Sequence, residues 1–155
     1  MIILGVDPSF VAAGYGIIEV IDDHILLLHY GVITQKSKYP LPDRLSVFHD
    51  GIKKLIIDYK VTDLAIETPF FGKNMNTFVK LGYLRGILLM LHVKHGLKLH
   101  EYAPREVKRM IVGAGNAEKE QVADKIKRKF PCLQGEPITY DATDALAVAL
   151  CAANV

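Results

Sequence analysis

The chain has 155 residues, half of them hydrophobic, and a formal net charge of +2. That length suits one domain spanning residues 1–155, and the apolar share excludes a disordered chain and removes any need for disulfide staples. The two cysteines, Cys132 and Cys151, form no CxxC pair and no zinc spacing with histidine, so both read as reduced thiols.

Residues 2–6 form a short apolar run that stops at Asp7, too short for the apolar segment of a secretory signal. After a turn the apolar pattern resumes at 14–20, and a third, β-branched stretch covers 25–33. Gly14 and Gly16 flank Tyr15, and Asp22-Asp23 marks a turn, so these three runs predict an antiparallel meander. Tyr15 is read as a residue of the core or of a site wall. Pro42 opens a helical pattern in which Leu45, Phe48, Ile52, Leu55, Ile56 and Tyr59 recur at three- and four-residue steps. Residues 64–66 are a short buried strand ending at Glu67, and a loop with Phe70, Phe71 and Gly72-Lys73-Asn74 follows. A long helix is predicted over 75–95, a strand over 98–103, and a short helix opened by Pro104 and running through Ile111. Asn116 is a candidate cap for a helix starting at Ala117, and the last helix is predicted from Tyr140 to Ala153. Strands alternating with helices in the second half imply parallel neighbours, giving an α/β fold with a mixed sheet flanked by helices. No apolar stretch reaches the roughly 18–20 residues of a membrane span, so a soluble, cytoplasmic protein with no membrane partner is expected.

Charge is unevenly spread. Residues 1–72 hold 6 basic and 9 acidic residues, residues 73–129 hold 13 and 5, and residues 130–155 hold none and 3. The basic middle is consistent with a solvated face. It also suits a protein that meets a polyanion with its lysines and a cation with its acids.

Asp7 and Glu67 follow directly on predicted strands, and ligand sites of α/β sheets gather at the carboxyl ends of strands. Asp141 and Asp144 are three apart at the start of the last helix and so share a face. Converging acids repel one another and need a cation or a proton. Oxygen ligands without His or Cys favour Mg2+ or Mn2+, and two such ions about 3.5–4 Å apart can hold the attacking and leaving oxygens at a phosphorus. Taken singly, Asp7 also fits a turn before Pro8, and Asp141 and Asp144 also fit the favourable end of a helix dipole. Glu67, after Leu64-Ala65-Ile66, is harder to place without a site. The six histidines are scattered, and none is assigned to a metal.

The long helix carries Phe78, Val79, Leu81, Tyr83, Leu84, Ile87, Leu88, Leu89, Met90, Leu91 and Val93 around most of its circumference. Such a helix is buried on more than one side. One side suits the sheet and the other a two-fold partner, with Leu84 and Leu88 as interface candidates; burial within a single chain is the alternative.

Five stretches in order resemble the RuvC family of Holliday junction resolvases. They are 2–8 with Gly14-Tyr15-Gly16; Ala65-Ile66-Glu67 with Phe70 and Lys73-Asn74; Lys80-Leu81-Gly82 with Arg85-Gly86; 102–108 with Val112-Gly113 and Ala117-Glu118-Lys119; and 141–147. The resemblance implies a ribonuclease H-like fold with a five-stranded sheet and an endonuclease that resolves four-way DNA junctions in recombination and repair. It implies Asp7, Glu67, Asp141 and Asp144 as catalytic metal ligands for two Mg2+ ions, and Lys119 as a catalytic lysine. Lys108 matches a lysine of catalysis or DNA contact, and Phe70 an aromatic that acts on bases at the crossover. Lys73, Lys80 and Arg85 lie in the matched stretches as further DNA contacts. A homodimer cutting two strands of like polarity is implied, and a RuvA–RuvB branch-migration complex as partner. The chain departs from the family pattern at Ser9 and Phe10, at Ala13, and at Phe78 and Leu84, which puts loop shape, dimer packing and sequence preference in question. Rival readings are a ribonuclease H-type enzyme acting on RNA/DNA hybrids, an actin- or sugar-kinase-like ATPase, and a non-catalytic junction-binding module. The ATPase lacks its second phosphate loop here, and retention of four acids argues against the module.

Overall fold

The computed structural model describes residues 1–22, 24–69 and 74–153. These form five strands, β1 (Ile2–Asp7), β2 (Ala12–Ile21), β3 (His24–Thr34), β4 (Asp63–Glu67) and β5 (Lys98–Tyr102). The helices are α1 (Leu41–Asp58), α2 (Met75–His95), α3 (Pro104–Val112), α4 (Lys119–Lys129) and α5 (Tyr140–Ala152), with a 3-10 turn at Pro131–Leu133. The sheet order is β3-β2-β1-β4-β5. The first three strands pair antiparallel as the meander that the short connections predict, and β4 and β5 join parallel to β1.

Alternation along β1 divides the core. Leu4 and Val6 face one layer, where Phe48, Ile52 and Ile56 of α1 meet Leu84, Leu88 and Leu91 of α2. Ile3 and Ala65 face the other layer, built on α5 with Val107 of α3 and Val122 and Ile126 of α4. Tyr15 belongs to the first layer; its ring stacks on His29 at 5.7 Å. The two glycines around Tyr15 therefore point the opposite way, towards α5. Gly16 pairs with Gly5 and Gly14 with Asp7 across the β1–β2 ladder. These glycines form a track on which α5 lies with backbone almost touching backbone. A Cβ on Gly5 would sit 2.1 Å from the Ala145 carbonyl oxygen, and one on Gly14 would sit 1.9 Å from that of Asp141.

Helix ends follow local chemistry. The Asn74 side chain accepts from the Thr77 N–H at 3.2 Å, and Gly96 closes α2 in the left-handed region at φ 61°. At α4 the structure corrects the expected start. Ala117 is buried outside the helix, Glu118 is the N-cap in place of Asn116, and the Gln121 side chain accepts from the Glu118 N–H at 2.8 Å. This is the return half of a capping box, which burial of Ala117 fixes one step further along the chain.

α2 brings a second correction. Leu84 and Leu88 are fully buried in the chain's own core and offer nothing to a partner. The exposed apolar residues are Met75, Val79, Tyr83, Met90 and Val93. Their spacing puts them on one stripe, together with Gly82 and Gly86, where an added Cβ would meet nothing within 4 Å. The apolar circumference thus divides into a core face and an open face. Leu84, a departure from the family pattern, is simply a core residue, and Ala13 is buried as well.

Candidate active site

Asp7 is the last residue of β1 and Glu67 the last of β4, so each acid ends its strand rather than following it. Val6 pairs with Ile66 in a parallel ladder, and the two carboxylates leave the sheet side by side at the same end. Both lie on the face covered by α5, since Asp7 alternates with Gly5 and Glu67 with Ala65. α5 begins at this end. The Thr139 hydroxyl caps it, accepting from the Ala142 N–H at 3.3 Å. Asp141 lies in the first turn with its backbone oxygen against Gly14, the ladder partner of Asp7. Asp144 is one turn further, and Lys119, the first residue of α4, reaches it with Nζ 3.2 Å from Oδ2. Asp7, Glu67, Asp144, Lys108 and Lys119 line one cavity of about 230 Å3, walled by Pro104 and Val107.

The electrostatics of this cluster are strained. Burial pushes Asp7 from its ordinary 3.8 up to about 7, helped by Glu67, Asp144 and Asp141 and opposed by Lys119. Burial also pushes Glu67 from 4.5 to about 7, with Asp144 adding to the rise and Lys119 and Lys108 opposing it. Asp144 is raised, mainly by burial, although Lys119 pulls the other way. Burial by itself would lower Lys119, but Asp144, Asp7 and Asp141 outweigh it and hold the lysine above its ordinary value. Among the described residues, no three Asp, Glu, His or Cys side chains close around a point as an ion cage. The donors gathered here are nonetheless all carboxylate oxygens with uncompensated repulsion, and a hard divalent cation is what such a set accommodates.

The remaining expected DNA contacts are dispersed. Lys80 lies on α2 in a groove of about 480 Å3 that it shares with Arg44 and the Pro8–Val11 segment. Within that segment, where the chain departs from the family, Arg44 donates to the Phe10 carbonyl and stacks over its ring at 4.9 Å; the Ser9 hydroxyl accepts from Val11 at 3.3 Å. Arg85 forms an ion pair with Glu101. Phe70 and Lys73 fall outside the described residues. His100 pairs with Asp63 at 2.7 Å, at the opposite end of β4 from Glu67. Sequence reasoning missed the glycine track, although glycines at alternate strand positions are its signal. It also missed Thr139 and the Arg85–Glu101 pair, which needs β5 beside β4 to form.

A five-stranded sheet of this order, with acids at the ends of its first and fourth strands and at the head of the last helix, defines a ribonuclease H-like nuclease. A family model described as crossover junction endodeoxyribonuclease RuvC matches residues 3–152. The chain is 42% identical over 151 residues to the crossover junction endodeoxyribonuclease RuvC of Chloroherpeton thalassium, covering 97% of this chain and 81% of that one. It is 41% identical to that of Paramagnetospirillum magneticum, covering 99% and 92%. T. thermophilus RuvC in complex with Holliday junction substrate superposes with a TM-score of 0.89 at 28% identity, covering 99% of this chain and 93% of that one. The fowlpox virus resolvase, bound to a Holliday junction, shares the fold at 15% identity with a TM-score of 0.65. The chain belongs to the RuvC family of crossover junction endodeoxyribonucleases.

Proposed function

We propose that this protein acts as a single nuclease domain that resolves four-way DNA junctions in recombination and repair, hydrolysing one phosphodiester in each of two symmetric strands. The observation that carries the reading is the gathering of Asp7, Glu67 and Asp144 with Lys108 and Lys119 around one cavity, with Asp141 against the same strand end. Membership of the family and the likeness to a relative bound to Holliday junction substrate support the choice of DNA.

Asp7, Glu67, Asp141 and Asp144 would hold two Mg2+ ions, for which Mn2+ can substitute. When bound, such a pair supplies positive charge to the attacking and leaving oxygens of an in-line displacement. Lys119 stands beside Asp144 and places its ammonium where charge grows on the phosphate, and Lys108 holds a second cation across the cavity. A bond from a water oxygen to phosphorus forms while one bridging P–O bond breaks. Lys80, with Lys73 and Phe70, extends the DNA contact beyond the cavity.

The test is a labelled, fixed four-way junction incubated with and without Mg2+, with the cuts mapped. Paired cuts at symmetric positions only with the cation are expected. Cleavage of RNA/DNA hybrids in preference to junctions would sink the reading. In the same assay Lys119→Ala is expected to lose on the order of 100- to 1,000-fold in rate, the size of effect seen when a donor aimed at developing charge is removed. Its junction affinity should fall only by about one phosphate contact's share, visible as a smaller salt slope. Unchanged turnover would remove Lys119 from the machinery.

The open stripe of α2 supports a homodimer, because a second copy brings the same patch against itself and Gly82 and Gly86 permit close approach. Sedimentation at micromolar concentration should show a dimer for the wild type and a folded monomer for Tyr83→Glu. By contrast, Leu84→Glu should unfold the chain, since it buries a charge. A wild type that sediments as a monomer while making paired cuts would end the dimer proposal. No helix among the described residues is long and apolar enough to cross a membrane. A DNA enzyme of this kind is placed in the cytoplasm, beside a RuvA–RuvB branch-migration complex.

A further inference from the structure

A second cavity, of about 210 Å3, lies against the carboxylates on the α2 side. Asp7, Glu67 and Pro104 line both it and the cavity of Lys108 and Lys119, so the two are contiguous. Its volume is several times the roughly 30 Å3 that a water occupies in the liquid. Its walls are largely apolar, with Pro8, Pro69, Leu81 and Leu88 among them. The polar groups besides the two acids are Thr68 and Arg85.

Arg85 is held in an unusual way. Its Nη2 is paired with Glu101, while its Nη1 is shut off from solvent with no acceptor among the described residues. Glu101 neutralises the guanidinium, so Arg85 contributes direction rather than net charge. A buried donor left without a partner is costly, and that cost vanishes when an acceptor oxygen arrives. A phosphate is the wrong occupant, because Asp7 and Glu67 repel it and proline and leucine cannot solvate it. A neutral flat ring with an acceptor on its edge meets every requirement of the cavity.

We propose that this cavity receives a nucleobase next to the scissile phosphate and that Arg85 reads a carbonyl oxygen on that base. The proposal rests on the nuclease reading above and adds to it a source of sequence selectivity. Thymine, cytosine and guanine carry such an oxygen, and adenine does not. Seating the base beside Asp7 and Glu67 would also fix the register of the strand in the catalytic cavity, since the two spaces share a wall.

The experiment uses fixed four-way junctions that differ only at the nucleotides flanking the scissile bond. Each flanking position carries in turn thymine, cytosine, guanine, adenine, a pyrimidine analogue lacking its carbonyl oxygens, or an abasic residue. At one of the two positions, wild-type rates are expected to fall on the order of tenfold for adenine, the analogue and the abasic residue, the scale of one good base contact. Arg85→Lys keeps a charge for Glu101 and removes the planar fork, so it should flatten that spread. The wild-type series with the analogue decides the matter even if the variant fails to fold. Cleavage at equal rates across the whole series overturns the base cavity and leaves the resolvase reading standing. A variant that keeps the wild-type spread overturns the role of Arg85 and with it the proposal. Failure of the wild type to cut any junction overturns the resolvase reading itself, and the cavity's role falls with it.

Discussion

Asp7→Asn is expected to reduce junction cleavage by at least about a thousandfold while leaving binding at low salt nearly intact, because a cation site loses a charge and the surrounding surface stays basic. The same substitution should stabilise the metal-free protein. Asp7 and Glu67 are both raised to about 7 in the folded chain, so each holds its proton more tightly folded than unfolded. Between about pH 4 and pH 7 the native state therefore binds more protons, and stability falls as pH rises. The penalty is absent below the unfolded values near 4 and complete above about 7. One pKa unit corresponds to about 1.4 kcal/mol, so the coupled cluster costs on the order of a few kcal/mol at pH 8. Asn at position 7 removes the burial cost of one charge and its repulsion by Glu67, Asp144 and Asp141. Thermal unfolding in EDTA should give a lower Tm at pH 8 than at pH 5 for the wild type and a smaller difference for Asp7→Asn. Added Mg2+ should raise the wild-type Tm at pH 8, by mass action on the folded state. A variant that loses binding as steeply as cleavage, or a wild-type Tm that rises from pH 5 to pH 8 in EDTA, contradicts this account.

Gly14→Ala is the second large effect. One methyl group there would stand 1.9 Å from the Asp141 carbonyl oxygen, and the obstacle is helix backbone that cannot swing aside. α5 must lift from the sheet at its first turn, where Asp141 and Asp144 are carried. Overpacking of this kind costs roughly 1–3 kcal/mol and sometimes more. For a chain of this size it corresponds to a fall in Tm on the order of 10 °C. Displacing catalytic groups by about 1 Å costs around 100-fold in rate. Calorimetry and the junction assay should show both losses together. Wild-type values in both would mean that α5 does not rest on the strand as described.

The parts of the fold that were legible in the sequence are those fixed locally. The bounds of α2 were read to the residue because Asn74 caps its start and Gly96 supplies the left-handed turn at its end. The acids at positions 7 and 67 stood out because an apolar run stopping at a carboxylate has few structural uses. Sheet order was not legible, since strand pairing is a tertiary property, and so nothing in the spacing placed Asp7 beside Glu67. The orientation of α2 was not legible either. Leu84 and Tyr83 are equally apolar on a helical projection, and only the sheet beneath decides which is core. The start of α4 was misplaced because Asn116 and Glu118 are both plausible caps, and burial of Ala117 separates them. The pairing of Lys119 with Asp144 spans two helices that no local signal joins. The family resemblance, rather than spacing, had marked that lysine.

In α5, every residue from Ala145 to Ala152 is buried, as are Ala142 and Thr143. This helix forms the centre of one core layer and also carries half of the candidate acids. Proteins often keep their reactive groups on loops that open at little cost, leaving the scaffold intact. Here Asp141 and Asp144 can leave their places only if the layer over Ile3, Ala65 and Ile126 comes apart with them. The free energy that protects the candidate site from local opening is thus close to that of the whole molecule. Heating therefore offers no intermediate in which the chain stays folded and these acids have melted away.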